Sequence, residues 1–121
     1  MSKTILVIDA SASMRQMISM TLRGAGYSVV EAQDGKDALS KLDGSKYNLI
    51  VSDVNMPNMD GLSFVKAAKQ LPAYKFTPVI MLTTEAGEAK KAEGKAAGVR
   101  AWIVKPFQPP MLLDAVSKLV M

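Results

Sequence analysis

Three short apolar runs punctuate an otherwise mixed chain: Ile5-Leu6-Val7-Ile8, Asn48-Leu49-Ile50-Val51 and Pro78-Val79-Ile80-Met81-Leu82. A run of this length without polar alternation suits a strand covered on both faces, as in a parallel sheet. Tyr27-Ser28-Val29-Val30 and Ala101-Trp102-Ile103-Val104 are weaker candidates. Between the five runs, apolar residues recur at three- and four-residue spacing, which predicts helices laid on the sheet. The first places Met14, Met17, Ile18, Thr21 and Leu22 on one face, with its methionines as core and Gly24 as a left-handed cap. The second carries Ala38, Leu39 and Leu42, and the third Leu62, Val65 and Ala68 before Pro72. The fourth, about Ala86 to Ala97, has nothing larger than alanine facing inward and contains Gly94, so shallow burial and high mobility are expected. The fifth repeats Leu112, Ala115, Val116, Leu119 and Val120.

Strand and helix units that alternate so regularly predict an α/β fold, with right-handed crossovers forcing helices onto both faces of a parallel sheet. At 121 residues and 49% hydrophobic, the chain is sized for one domain, residues 1–121. With neither cysteine nor histidine, it excludes disulfides, zinc sites of the usual kind, thiol nucleophiles and histidine general bases. No run approaches bilayer length and the N-terminal one is too short for a signal peptide, so a cytoplasmic protein with no membrane role is expected. The net charge of +4 is spread without a dense run between aromatics, which argues against nucleic acid as a partner.

In open α/β sheets ligands bind beyond the carboxyl ends of the strands. Those ends read Asp9-Ala10-Ser11 after the first, Asp53 after the third, Thr83-Thr84-Glu85 after the fourth and Lys105-Pro106 after the fifth. Taken singly, Asp9 or Ser11 is a helix cap, Thr83 a strand terminus and Lys105 a snorkelling lysine. Taken together, on strands about 4.8 Å apart, carboxylates, hydroxyl and ammonium fall within reach of one phosphate-sized site. Asp53 is then the nucleophile that forms an aspartyl phosphate. Thr83 bonds one phosphoryl oxygen and Lys105 balances charge on another, without a separate base. Oxygen donors without nitrogen or sulfur suit a hard cation, Mg²⁺ above all.

The chain resembles the response-regulator receiver domains, and among them the single-domain chemotaxis regulators of the CheY type, over essentially its whole length. The most specific stretch is Ser52-Asp53-Val54-Asn55-Met56-Pro57-Asn58-Met59-Asp60-Gly61. The resemblance implies the flavodoxin-like doubly wound order 2-1-3-4-5, Asp53 as phosphoacceptor, and Asp9, Asp53 and the backbone carbonyl of Asn55 around the metal. It further implies Thr83 and Lys105 as phosphate contacts, Trp102 as the switch aromatic, motion of the loop bearing Glu85, and a cis Lys105-Pro106 bond.

One position departs from the family pattern of two adjacent acids after the first strand: Ala10 stands where the direct metal ligand is expected, and Asp9 matches the acid that acts through a metal-bound water. Weakened Mg²⁺ binding and impaired phosphorylation are expected. Two readings of Ala10 stand open, a substitution made to disable or trap the site and a natural receiver that signals with little or no phosphorylation. A haloacid-dehalogenase-type enzyme would need Asp-x-Asp where the chain has Asp9-Ala10-Ser11, and space for a capping insertion. The expected protein is a monomeric phosphoacceptor switch, with at most autophosphorylation and autodephosphorylation of its own. By the resemblance, its partners are a histidine kinase of the chemotaxis type and a flagellar motor switch protein or other docking partner. The alternative is a phosphorylation-independent binding module. With Met121 just past the fifth helix, output is expected through docking on the face of the fourth helix, fifth strand and fifth helix.

Overall fold

The computed structural model describes residues 3–121. Five strands, β1 (Thr4–Ile8), β2 (Ser28–Ala32), β3 (Leu49–Ser52), β4 (Val79–Thr83) and β5 (Ala101–Val104), alternate with five helices. These are α1 (Ala12–Gly24), α2 (Gly35–Ser40), α3 (Gly61–Lys69), α4 (Glu88–Ala97) and α5 (Pro109–Leu119). All strand pairs are parallel, in the order β2-β1-β3-β4-β5. The order reverses between β1 and β3, and the crevice where ligands bind opens at that reversal.

The continuous apolar runs are continuous because both faces of the sheet are buried. Leu6, Ile8, Ile50, Val79 and Met81 pack with Ala38, Leu62, Val65 and Ala68 of α2 and α3. The alternate positions, Ile5, Val7, Leu49, Val51, Ile80 and Leu82, pack with Ile18, Leu22, Leu112 and Val116 of α1 and α5. Side-chain caps start three helices: Ser11 accepts from the Met14 amide at 3.3 Å, Asp34 from Asp37 at 2.8 Å and Asp60 from Ser63 at 2.8 Å. α4 starts at Gly87 without such a bond and buries only Gly94. Its burial is as shallow as the alanine-rich sequence predicts.

Three helix expectations need correction. The left-handed residue after α1 is Gly26, at φ 96°, because Gly24 is still helical and Ala25 forms the cap. Met17 is 54% exposed: the buried stripe of α1 runs through Ile18, Ser19 and Leu22, and Met17 falls one position outside it. Leu42 lies beyond the end of α2, yet packs on the same apolar cluster from the turn that leads to Gly44, at φ 99°.

Candidate functional site

Register decides which groups meet. Ile8 pairs with Ser52 across β1 and β3, so Asp9 and Asp53 leave the sheet side by side. Thr83 pairs with Val104, and the Lys105 amide donates to the Thr83 carbonyl at 2.8 Å, which brings the Lys105 side chain back over the same end. The Lys105-Pro106 bond is cis.

The Lys105 ammonium bridges the two acids, 2.7 Å from Asp9 Oδ2 and 2.9 Å from Asp53 Oδ2. Each carboxylate is held at its other oxygen by the backbone. Asp53 Oδ1 accepts from the Val54 amide at 2.6 Å and the Asn55 amide at 3.3 Å, and Asp9 Oδ1 accepts from the Ser11 amide at 2.9 Å. Asp9 is 1% and Asp53 8% exposed, and the Lys105 side chain 9%. Burying charges at this depth is tolerable only when they are paired and hydrogen-bonded, a condition that this triad meets. Burial by itself would lower the Lys105 pKa; the hydrogen bonds and charges of Asp9 and Asp53 outweigh it and raise the pKa above the ordinary lysine value. Two carboxylates against one ammonium leave the site with one excess negative charge.

Of the residues expected in the site, the structure therefore joins Asp9, Asp53 and Lys105 directly. Thr83 is fully buried on the neighbouring strand end, where its hydroxyl accepts from the Glu85 amide at 3.2 Å. Glu85 in turn receives the Trp102 indole N–H on its carbonyl at 2.8 Å, which ties the loop after β4 to the edge strand β5. Asn55 is exposed beside Asp53, and Ala10 presents an exposed methyl at the mouth. Among the described residues no group of three or more acids is clustered closely enough to hold a metal.

Several supporting residues escaped the sequence analysis. Arg15, one turn into α1, donates to the Asp9 carbonyl at 2.6 Å and pairs with Glu31 at 3.3 Å, fixing the loop that carries Asp9. Gly61 leaves no space for a side chain, since a Cβ there would lie 1.9 Å from the Asp53 carbonyl oxygen; its amide donates to Val54 at 2.8 Å. The Asp60-Gly61 pair was visible in the motif, but its steric reason is a tertiary one. Asn58, at φ 68°, donates to Asp34 at 2.7 Å and joins the loop after β3 to the start of α2. A Cβ on Gly94 would lie 2.8 Å from Trp102 Cζ3, so the glycine that weakens α4 is also the seat of the indole ring.

A five-stranded doubly wound sheet with two acids and a lysine converging at its switch point defines a flavodoxin-like protein with a polar site at the carboxyl edge. The description "Response regulator receiver domain" matches residues 5–117, and the chain belongs to that family, with CheY proteins among its similar relatives. It is 43% identical over 115 residues to chemotaxis protein CheY1 of Helicobacter pylori, covering 93% of each chain. It is 37% identical over 116 residues to the transcriptional regulatory protein ResD of Bacillus subtilis, covering 96% of this chain and 47% of ResD. The crystal structure of chemotaxis protein CheY4 of Vibrio cholerae, determined at low pH, superimposes with a TM-score of 0.94 at 48% identity, covering 99% of this chain and 100% of that one. Among the described residues no helix is long and apolar enough to cross a membrane.

Proposed function

We propose that the chain is a two-component chemotaxis response regulator that accepts a phosphoryl group on Asp53. The observation carrying this reading is the Lys105 bridge, which holds Asp53 with one oxygen on backbone amides and the other against an ammonium. Attack by an Asp53 oxygen on a phosphohistidine of a chemotaxis-type histidine kinase forms the P–O bond and breaks the P–N bond, and the imidazole leaves with a proton. The carboxylate gives up one negative charge and gains about two, so Lys105 is drawn onto the new phosphoryl oxygens. Thr83 has its hydroxyl one strand away with its O–H free to donate to the same group, and turning toward it draws the oxygen away from the Glu85 amide, an exchange of partners. That exchange loosens the loop whose other anchor is the Trp102 indole on the Glu85 carbonyl, and the change reaches the face made by α4, β5 and α5. A flagellar motor switch protein is the reader that the chemotaxis relatives suggest.

The donor set fits a hard cation in kind, and Asp9, Asp53 and the Asn55 carbonyl would hold Mg²⁺. When bound, the ion neutralises charge on the transferred group. The set is one carboxylate short at Ala10, and Lys105 already occupies an oxygen of each acid, so weaker metal binding follows. The same two facts favour a second reading, a receiver that docks on partners without being phosphorylated.

Incubation with a small phosphodonor and Mg²⁺, followed by intact-protein mass measurement and Trp102 fluorescence, separates the two. A phosphate mass that disappears in Asp53→Asn, with a fluorescence change, supports the phosphoacceptor. An unlabelled protein that still binds its partner supports the docking module and sinks the first reading.

A further inference from the structure

At the amino-terminal end of the sheet, remote from Asp53, Phe76 is 78% exposed, more than any other large apolar side chain among the described residues. Its loop is anchored on both sides. Tyr74 is buried, its hydroxyl donating to the Ser45 carbonyl at 2.7 Å and accepting from the Gly44 amide at 2.9 Å. Thr77 is buried as well; its amide donates to Tyr74 at 3.1 Å and its carbonyl accepts from the Lys69 ammonium. A fixed loop that holds an aromatic out in water leaves its ring available for a contact.

Beside Phe76 lies a hollow of about 360 Å³ lined by Lys69, Lys75, Ala97, Gly98 and Arg100. Through Lys69, Ala96 and Ala97 it runs into a second hollow of about 420 Å³ between α3 and α4, bordered by Lys66 and Glu93. The last turn of α4 lines the trough with nothing larger than Ala96 and Ala97, which leaves the hollow open. Lys66 and Glu93 neutralise one another at 2.7 Å, but among the described residues none of Lys69, Lys75 and Arg100 is paired with a carboxylate. Lys75 instead lies over the Phe76 ring, 5.6 Å from its centre. Burial lowers the Lys69 pKa, and the nearby charge of Arg100 lowers it further.

We propose that this trough at the foot of α4 docks an extended acidic segment of a partner protein, with an apolar side chain of that segment covering Phe76. Three unpaired cations supply the charge complement, and the open, elongated shape suits a strand-like segment better than a compact small anion. With the hollow beside Trp102, lined by Lys91, Lys95 and Val99, the trough shares only Arg100, so docking here leaves the face carrying Trp102 open to a second partner.

The test uses the isotope-labelled full chain and a synthetic peptide of alternating glutamate and leucine, followed by amide NMR shifts. The proposal expects saturable binding that weakens with salt and is centred on Lys69, Phe76, Gly98 and Arg100. It expects about a tenfold weaker affinity in the Lys75→Glu, Arg100→Glu double variant and a smaller loss in Phe76→Ser. Absence of saturable binding, shifts centred on Lys91, Lys95 and Trp102, equal affinity in the charge-reversed variant, or stronger binding of a DNA oligonucleotide of matched charge each overturns it. Lys75, Phe76 and Arg100 lie at the surface, and the shift map of the unaltered protein decides the location independently of any variant.

Discussion

The carboxyl edge of the sheet and the α4 flank are built to opposite specifications. At the edge, Asp9 and Asp53 are each held by backbone amides and a shared ammonium, under a loop that Gly61 brings into direct contact. On the flank, α4 lacks a side-chain cap, buries a single glycine and is bounded by open hollows. Rigid positioning of charge at one place and weak attachment of a helix at the other suit the switch proposed above, because interactions few in number are easily exchanged. The difference teaches where substitutions should cost stability and where they should change only the signal.

The largest effect is expected at Gly61. Its substitution by alanine forces Cβ against the Asp53 carbonyl and should destabilise the fold by about 3 kcal/mol in denaturant titrations. A loss below about 1 kcal/mol would show that the edge is less rigid than its packing indicates. Next comes Lys105→Met, which leaves two buried carboxylates facing each other and should cost about 2 kcal/mol at neutral pH. The sign of its pH dependence follows from linkage. The Lys105 pKa is raised in the folded protein, so its contribution is complete below the ordinary lysine value of 10.5 and is lost as pH rises through the higher folded value. Stability curves of the two proteins should therefore converge above about pH 10.5; a gap that stays constant would remove the bridge from the account.

Ala10→Asp adds a charge to a site already carrying one excess. Carboxylates about 5 Å apart repel by roughly 3 kcal/mol at an effective dielectric near 20, and Lys105 offsets part of it. Without metal, the variant should be less stable by about 1 kcal/mol and melt at a lower temperature in thermal scans. The smallest expected effect on stability is on the flank. Gly94→Ala gains about 1 kcal/mol of helix propensity and loses a similar amount in displacing the Trp102 ring, so stability should barely change while Trp102 fluorescence shifts to the red. An unaltered spectrum would mean that the indole is not seated on Gly94.

Much of the scaffold was legible because apolar runs and helical periodicity record burial directly. The meeting of Asp9, Asp53 and Lys105 was legible for another reason: the end of a parallel strand is a fixed place, so reading one step beyond each run finds what lies there, whereas Thr83, read the same way, stands apart and bonds to Glu85. What was hidden depends on approach between distant segments. Arg15 looks like any surface arginine until its partner carbonyl is seen, and Gly94 looks like a helix flaw until the indole that rests on it is seen. Met17 was assigned inward because a single helical position separates a buried stripe from an exposed edge, and periodicity does not resolve that step.

The central claim is that Asp53 is a correctly placed phosphoacceptor whose cation support is reduced at Ala10. It is tested most directly by the Mg²⁺ dependence of phosphodonor labelling in this chain and in Ala10→Asp. The account predicts label on Asp53 in both, with half-saturation at about tenfold lower Mg²⁺ in the variant. Equal Mg²⁺ requirements, or label that persists in both when Asp53 is replaced by asparagine, would contradict it.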